Sequence, residues 1–261
     1  MNILITNDDG IFAPGLWVLV RELKENSDII VVAPDREQSG IGTGITLHHP
    51  LRIQKIQSLI PDVPAYAVCG TPGDSVIIGL NHLSDKKIDL VISGINAGPN
   101  VGVDVFLSGT VGAALQGYLH NVSSIAVSLN DTGTQWTETA ARIVGKLVFR
   151  ILESVPRGGE KPFLNINIPA CDIVDMKGIV VTSLGFNRLA EEVEEGHDGR
   201  HLYYWIKHRK AETSVQDMTD VWAINNNYIS ITPLHSSLFS KTAPEFNGNI
   251  RLDIQELVRE L

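Results

Sequence analysis

Short apolar runs alternate with segments of helical periodicity along the first 170 residues, and this alternation limits the fold more than any other feature. The strand-like runs lie at residues 3–6, 29–33, 51–56, 65–69, 88–93, 125–129 and 163–168. Helices are predicted between them at 14–26, from residue 71 onward, at 110–119 and at 137–152. Repeated strand–helix–strand units make strands parallel and place helices on both faces. The sequence therefore predicts an α/β fold with a mostly parallel sheet.

The pattern changes after residue 170. Strands are predicted at 179–182, 201–208 and 228–232, with polar loops such as 191–196 in place of helices, and a final amphipathic helix is predicted at 250–261. A projecting β-hairpin has too little core of its own. We therefore divide the chain into an α/β core at 1–170 and a hairpin arm with its C-terminal helix at 171–261. The arm is expected to pack on the core or on a partner subunit, as a homodimer or homotetramer.

Composition excludes several classes of protein. A net charge of −9 and a pI of about 5.3 argue against a broad nucleic-acid-binding surface, which needs a basic stripe. No run of 18 apolar residues occurs, so neither a membrane span nor a signal peptide is expected. Cys69 and Cys171 are far apart and lack a metal-binding spacing, which favours reduced packing residues. A cytoplasmic protein is expected.

Two adjacent acids, Asp8 and Asp9, follow the first predicted strand. In an open parallel sheet, ligands bind beyond the carboxyl ends of the strands. The loop after the second strand brings Ser39 to this edge, and the loop after residue 93 brings Asn96. Two carboxylates, a hydroxyl and an amide oxygen are ligands that suit one Mg²⁺ or Mn²⁺ ion. Consecutive strand residues point to opposite faces, so both acids reach one ion only if Gly10 lets the backbone turn.

Each of these residues also has a simpler explanation. Asp8 and Asp9 are compatible with solvated loop acids. Ser39 suits the cap of a turn, and Asn96 suits a left-handed backbone conformation. The occurrence of oxygen donors at three strand ends favours the metal site over three separate explanations.

A third loop at this edge contains Ser108, Gly109 and Thr110, ahead of a helix that begins with small residues. Free N–H groups at a helix start, two hydroxyls and a glycine form an anion pocket suited to phosphate. The alternative is an ordinary serine cap with close helix packing. Beside an acidic metal site the phosphate pocket is favoured, because a cation and an anion cradle together serve phosphoryl chemistry.

Four motifs occur in order along the chain: Asn-Asp-Asp-Gly at 7–10, Ala-Pro-Asp-Arg-Glu-Gln-Ser-Gly at 33–40, Ser-Gly-Ile-Asn-Ala-Gly-Pro-Asn at 93–100 and Ser-Gly-Thr-Val-Gly-Ala-Ala at 108–114. Through these motifs the sequence resembles the SurE (survival protein E) family of metal-dependent nucleoside-monophosphate phosphatases. The match continues through segments 165–169, 203–205 and 229–234. It therefore covers nearly the whole chain, although segment 214–220 is less rich in Gly and Thr than the family pattern.

The resemblance implies a Rossmann-like core with a swapped C-terminal hairpin arm, forming dimers and often tetramers. It also assigns roles to residues of this chain. Asp8, Asp9, Ser39 and Asn96 fall on the divalent-metal ligands, and Asp8, Asp9 and Asn96 are taken as catalytic. Ser108, Gly109 and Thr110 match the phosphate-contacting loop.

The expected activity is metal-dependent hydrolysis of nucleoside 5′-monophosphates to nucleoside and phosphate, with 3′-monophosphates and short polyphosphate left open. Two other hypotheses remain. In the first, Asp8 or Asp9 attacks phosphorus and forms an aspartyl-phosphate, although the Asp-x-Asp spacing of such phosphatases is absent. In the second, the chain binds or senses nucleotides without turnover, although no Gly-x-Gly-x-x-Gly follows the first strand.

Overall fold

The structure of the protein is a computed structural model that describes residues 1–131, 133, 135–154, 159–186, 190–209 and 216–235. The helix predicted at 250–261 lies outside these residues. Within them, Cys69 and Cys171 are free cysteines. No helix of the described part is long and apolar enough to cross a membrane.

A nine-stranded sheet forms the centre of the molecule, in the order β3-β4-β2-β1-β5-β6-β7-β11-β8. Its strands are β1 (Asn2–Thr6), β2 (Asp28–Pro34), β3 (Ile53–Lys55), β4 (Ala65–Val68), β5 (Leu90–Ala97), β6 (Ser123–Leu129), β7 (Phe163–Ile168), β8 (Gly178–Val181) and β11 (Tyr228–Pro233). Within this sheet, the described strands pair antiparallel only between β3 and β4 and between β11 and β7. The predicted mostly parallel α/β fold is confirmed.

Helices cover both faces of this sheet. They are α1 (Pro14–Leu23), α2 (Pro72–Ile78), α3 (Gly109–Leu119), α4 (Thr137–Ser154) and α5 (Asp220–Asn225). Alternate side chains of β1 point to opposite faces. Ile3 and Ile5 join the core cluster under α1 and α4, whereas Leu4 packs with residues of α2 and α3. Apolar side chains therefore cover both faces of the sheet, and β1 lies in its interior, between β2 and β5.

The C-terminal part differs from the prediction in three respects. Strands β8 and β11 join the central sheet, so the predicted boundary at residue 170 does not match the sheet edge. The segment predicted as a polar loop at 191–196 lies within a strand, β9 (Ala190–His197). A short helix, α5, lies before β11, where none was expected. The sequence did not indicate strand β9, because its glutamates interrupt the apolar-polar alternation that is typical of a half-buried strand.

Strands β9 and β10 (Leu202–Arg209) form a separate antiparallel hairpin. Its turn is held by Asp198, which accepts hydrogen bonds from the N–H groups of Arg200 and His201. Five consecutive residues of β10 are apolar or aromatic and exposed: Leu202, Tyr203, Tyr204, Trp205 and Ile206. Neighbouring residues of a strand face opposite sides. Apolar surface is therefore exposed on both faces of the hairpin.

Helix α3 lies unusually close to the sheet, because glycines form its contact face. A Cβ added to Gly117 would lie 2.4 Å from the hydroxyl oxygen of Ser124 and 2.8 Å from Cβ of Val91. At the other end of the helix, a Cβ on Gly112 would lie 2.3 Å from the carbonyl oxygen of Gly42. These contacts fix where α3 begins relative to the ends of β1 and β2.

The close packing of α3 predicts that alanine substitution has different effects on stability at two helical glycines, one in α3 and one in α4. Gly117→Ala is expected to lower the free energy of unfolding by about 1–3 kcal/mol, since overpacking outweighs the gain in helix propensity. Gly145→Ala in α4 is the matched control, because its Cβ would meet only the Glu22 side chain, which has room to move. Urea denaturation of both variants measures the difference. Equal stability of the two would contradict the close approach of α3.

Candidate functional site

The chain makes a tight buried turn directly after β1. The Asn7 side chain closes it: its amide donates to the Gly10 carbonyl oxygen at 3.0 Å, and its own oxygen accepts from the Gly10 N–H at 3.2 Å. Gly10 has a φ of +99°, and a Cβ there would lie 3.0 Å from the carbonyl carbon of Arg36. The turn that both acids need is therefore present, and Asn7, which the sequence analysis did not single out, holds it.

Asp8 is buried against the start of α3. Only 4% of the residue is exposed, and its carboxylate accepts hydrogen bonds from the hydroxyl and the N–H of Thr110. Burial raises the pKa of the Asp8 carboxyl, while the bonds from Thr110 act in the opposite direction. A Cβ on Gly109 would lie 2.8 Å from Cβ of Asp8. Gly109 therefore makes room for this carboxylate.

Asp9 lies beside Asp8 but takes a different donor, the N–H of Ala97. Burial first, and then the negative charge of Asp8, raise the pKa of Asp9 to about 6. The negative charge of Glu37 contributes to this raised pKa, whereas the hydrogen bond from the Ala97 N–H opposes it. Two partly desolvated carboxylates repel each other across a short distance. A cation placed between them would remove this repulsion.

Ser39 lies in an exposed loop that crosses the end of β1. Its hydroxyl donates to the Glu37 carboxylate at 2.8 Å. The loop is tied to the turn by the Gln38 N–H, which donates to the Asp8 carbonyl oxygen at 2.8 Å. Glu37 is thus a third acid at this edge. Its place in the 33–40 motif was the available signal, and the sequence analysis did not use it.

Asn96 reaches the same edge from an irregular end of β5. The pairing register between β5 and β6 shifts between Ser93 and Asn96. Gly94 has a φ of +137°, and a Cβ there would lie 2.3 Å from the carbonyl oxygen of Val127. The side-chain amide of Asn96 donates to the Gly98 carbonyl oxygen at 2.7 Å. Its neighbours Gly94 and Gly98 have positive φ and Asn96 does not, so the simpler left-handed explanation is wrong.

The predicted phosphate loop uses both of its hydroxyls within the protein. Ser108 caps α3, its Oγ accepting from the Val111 N–H at 3.1 Å, and the Thr110 hydroxyl donates to Asp8. The serine-cap explanation therefore describes Ser108 correctly. The N–H groups of Thr110 and Val111 are likewise used within the chain, by Asp8 and by the Ser108 Oγ. The Gly109 N–H is then the donor at the helix start that suits a phosphate oxygen.

A buried polar network supports the loop between Asn96 and α3. The Asn100 N–H donates to the Asn167 side-chain oxygen at 2.9 Å, and its side-chain amide donates to Ser128 at 2.8 Å. The Asn100 carbonyl oxygen accepts from the amides of Asn165 and Asn167 at 2.8 and 3.0 Å. One loop residue is thus bonded to two neighbouring strands. The Asn165 side-chain oxygen is buried without a hydrogen-bond partner, so the network is incomplete there. The bonds from Asn100 to both strands nevertheless hold the loop in position.

A cavity of about 220 Å³ adjoins Asp9 and Asn96. Its other walls come from the first residues of α1, the end of β5, the end of β6 and the start of α4, and include Ala13, Pro14, Ile95 and Leu129. Small ligand pockets usually combine apolar walls with a few polar groups. This cavity has that character, on the opposite side of the turn from α3.

The donor set fits a hard divalent cation. In the described part of the chain, no group of three or more His, Cys, Asp and Glu side chains is arranged to hold a metal. Carboxylate, hydroxyl and amide oxygens without nitrogen or sulfur favour Mg²⁺ or Mn²⁺ over Zn²⁺. Burial is the main cause of the raised pKa values of Asp8 and Asp9, and neighbouring negative charges add to it: Glu37 for Asp8, and Asp8 and Glu37 for Asp9.

Comparison with known proteins agrees with these features. The family model "Survival protein SurE" matches residues 3–191, which include all four motif loops. The chain belongs to the SurE family. It is 50% identical over 246 residues to the 5′-nucleotidase SurE of Dehalococcoides mccartyi strain CBDB1, covering 92% of this chain and 91% of that protein. The 5′-nucleotidase SurE of Alkaliphilus metalliredigens is 42% identical over 240 residues, covering 91% and 94%.

A solved structure is also similar. The crystal structure of the SurE protein from Aquifex aeolicus superposes with a TM-score of 0.76 at 37% sequence identity, covering 91% of this chain and 94% of that one. The central sheet and the loops at its carboxyl edge thus belong to a fold shared within the SurE family. The family resemblance inferred from the motifs is confirmed.

Asp9 predicts a pH-dependent stability of the metal-free protein. Its folded pKa of about 6 lies above the unfolded value near 4, so the native state binds more protons between these values and stability falls as pH rises through them. Asp9→Asn removes this loss. We expect the metal-free variant to melt a few degrees higher than the wild type at pH 8. The two melting temperatures should converge near pH 4, and a variant that melts lower at pH 8 would contradict the charge repulsion.

Proposed function

We propose that the protein is a metal-dependent phosphomonoesterase that hydrolyses nucleoside 5′-monophosphates to nucleoside and phosphate. The observation that carries this proposal is the buried carboxylate of Asp8, bonded to the start of α3 at the carboxyl edge of the sheet, with the half-buried carboxylate of Asp9 beside it. An acidic cation site next to a helix start is what phosphoryl transfer needs. The relatives named 5′-nucleotidase SurE support the same activity.

Asp8, Asp9, Ser39 and Asn96 would hold the divalent cation. When bound, the cation supplies charge neutralisation at phosphate oxygens and a water of lowered pKa. Thr110 keeps the Asp8 carboxylate in place through its hydroxyl and its N–H. The Gly109 N–H at the start of α3 binds a phosphate oxygen, aided by the positive end of the helix dipole, and the cavity beside Asp9 accommodates part of the nucleoside.

The structure favours hydrolysis by water over an aspartyl-phosphate. Asp8 accepts two hydrogen bonds from Thr110, and Asp9 accepts one from Ala97. Donors on a carboxylate reduce its reactivity as a nucleophile because they stabilise its charge. Acid quenching during turnover of a ³²P-labelled monophosphate separates the two schemes: labelled protein would establish the aspartyl-phosphate and exclude the direct route.

Asp8→Asn tests the site. We expect phosphate release from nucleoside 5′-monophosphates with Mn²⁺ or Mg²⁺ to fall by at least about 100-fold in this variant, while its circular dichroism spectrum is retained. Asp28→Asn is the matched control, because Asp28 is an exposed acid paired with Lys86 far from the site. Treatment of the wild type with EDTA should abolish activity, and added Mn²⁺ should restore it. Full activity of Asp8→Asn, or binding of nucleotides without phosphate release, would overturn the proposal.

Activity on 3′-monophosphates and short polyphosphate, and a cytoplasmic location, stay predictions. The first two belong in the same assay. A panel of 5′- and 3′-monophosphates and tripolyphosphate, each with Mg²⁺ and Mn²⁺, gives both the substrate range and the preferred cation. The panel also decides between an enzyme and a nucleotide sensor, since only the enzyme releases phosphate.

We further propose that the hairpin β9–β10 packs against a second copy of the chain. Trp205 and Ile206 are 63% and 68% exposed and lie on opposite faces of the hairpin. A monomer with apolar side chains exposed on both faces of a ribbon is unfavourable, and such patches mark association sites. The Glu194–Lys207 ion pair on the Trp205 face offers a polar rim for that contact.

Trp205→Glu is therefore expected to shift the protein toward monomers, since it would bury a charge in the contact. Size-exclusion chromatography with light scattering measures the mass. Arg200→Glu at the hairpin turn is the matched control, because it also changes a charge but removes no apolar surface. A wild type that runs as a monomer at micromolar concentration would rule out this role of the hairpin.

A further inference from the structure

The only described helix between β10 and β11 begins with a fully buried acid, Asp220. One of its carboxylate oxygens accepts from the Gly102 N–H at 2.7 Å. The other accepts from the N–H groups of Gly185 and Val221 at 2.7 and 2.8 Å. Burial raises the pKa of the Asp220 carboxyl, and the three N–H donors act against that rise. One carboxylate thus joins three separate positions of the chain.

The bond to Gly102 reaches the loop that leads into α3. Gly102 begins a 3₁₀ turn, Gly102–Phe106, and has a φ of +57°. Two hydrogen bonds through Ser108 link this turn to α3, although Ser108 itself has an extended backbone: the Ser108 N–H donates to the Asp104 carbonyl oxygen at 3.0 Å, and the Gly112 N–H donates to the Ser108 carbonyl oxygen at 3.0 Å. A shift of Gly102 is therefore passed to the N–H groups at the start of α3.

The opposite end of this loop is held independently. Asn100 is bonded to β6 and β7 through Ser128 and Asn167. Asn96, closer to the acid pair, lies before that anchor. Asn100 thus isolates the Asn96 side of the loop from movement at Gly102, because it is fixed by several bonds to the sheet.

We propose that Asp220 is a positioning residue that sets the phosphate affinity of the α3 start, from outside the site and without contact to substrate or cation. This rests on the proposed function, because it takes the α3 start as the phosphate-binding element. Asp220 lies 118 residues after Gly102 in sequence, so the C-terminal half of the chain completes a site otherwise built from the N-terminal half.

Asp220→Asn separates the size of the Asp220 side chain from its capacity to accept hydrogen bonds on both oxygens. An asparagine keeps the size of the side chain but offers one acceptor oxygen in place of two, and its NH₂ group faces an N–H donor. Either Gly102 or the Gly185–Val221 pair then loses its partner. The variant is predicted to bind inorganic phosphate roughly 10- to 100-fold more weakly, measured by titration calorimetry with Mn²⁺ present. Its affinity for Mn²⁺ alone should stay within about twofold of the wild type.

Thr219→Ala is the matched control. Thr219 caps α5 by accepting from the Trp222 N–H at 3.3 Å, so its loss weakens the same helix but leaves the Gly102 bond in place. This variant should melt at a lower temperature and bind phosphate as the wild type does. If both variants lost phosphate affinity in proportion to their melting temperatures, Asp220 would be a general stabilising residue and the proposal would be overturned.

Gly102→Ala tests the same bond from the loop side, and it serves if Asp220→Asn does not fold. A side chain at φ +57° strains the backbone at Gly102 while the other two bonds of Asp220 remain. Its phosphate affinity should fall and its Mn²⁺ affinity should not. Unchanged phosphate binding in this variant counts against the proposal.

A failure of the proposed function is distinguishable from a failure of the Asp220 proposal. If the wild type binds phosphate with Mn²⁺ but releases none from any monophosphate, the proposed enzymatic activity is wrong. The calorimetric comparison of the variants still decides the Asp220 proposal in that case. A wild type that does not bind phosphate at all overturns both. In an active enzyme, the KM for a 5′-monophosphate should rise more in Asp220→Asn than kcat falls.

Discussion

The contact between the Asp8 carboxylate and Thr110 is the interaction on which the site depends. It joins the end of the central strand β1 to the first turn of α3 and removes the carboxylate from solvent. Gly109 makes the contact possible, because any side chain there would collide with Asp8. The same hydrogen bonds partly offset the cost of burying the charge. The helix start and the Asp8 carboxylate are therefore joined directly by hydrogen bonds.

Burial of two adjacent acids lowers stability, and the surrounding structure offsets that loss. The pKa of Asp9 rises to about 6 because of burial and the charge of Asp8. Around this charged turn, the Asn7 side chain closes the backbone and the Asn100 network joins the next loop to two strands. Strained or unfavourable groups persist only where the rest of the structure over-determines them. The polar side chains buried near the site have this supporting role.

The central features were predictable from sequence because they follow from periodicity. Alternating strands and helices predicted the parallel sheet, and because carboxyl ends of parallel strands meet at one edge, Asp8, Ser39 and Asn96 were expected to lie at that edge. Strand β9 was missed because Glu192, Glu194 and Glu195 are exposed, so no buried face leaves a pattern there. The hydroxyls of Ser108 and Thr110 were assigned to a ligand, whereas backbone and carboxylate partners within the chain already use them. Whether a hydroxyl binds a ligand or another group of the chain depends on tertiary contacts, which the sequence pattern does not show.

The position of α5 also explains why the division at residue 170 was not the natural one. A core that ended with β7 would exclude two strands that are hydrogen-bonded into the central sheet, β11 beside β7 and β8 beside β11. Strands β11 and β8 extend the sheet beyond β7, and α5 places Asp220 beneath the loop that leads to α3. The connection between these strands contains the hairpin β9–β10. The hairpin is thus free to serve association, while its two flanking segments complete the sheet and support the site.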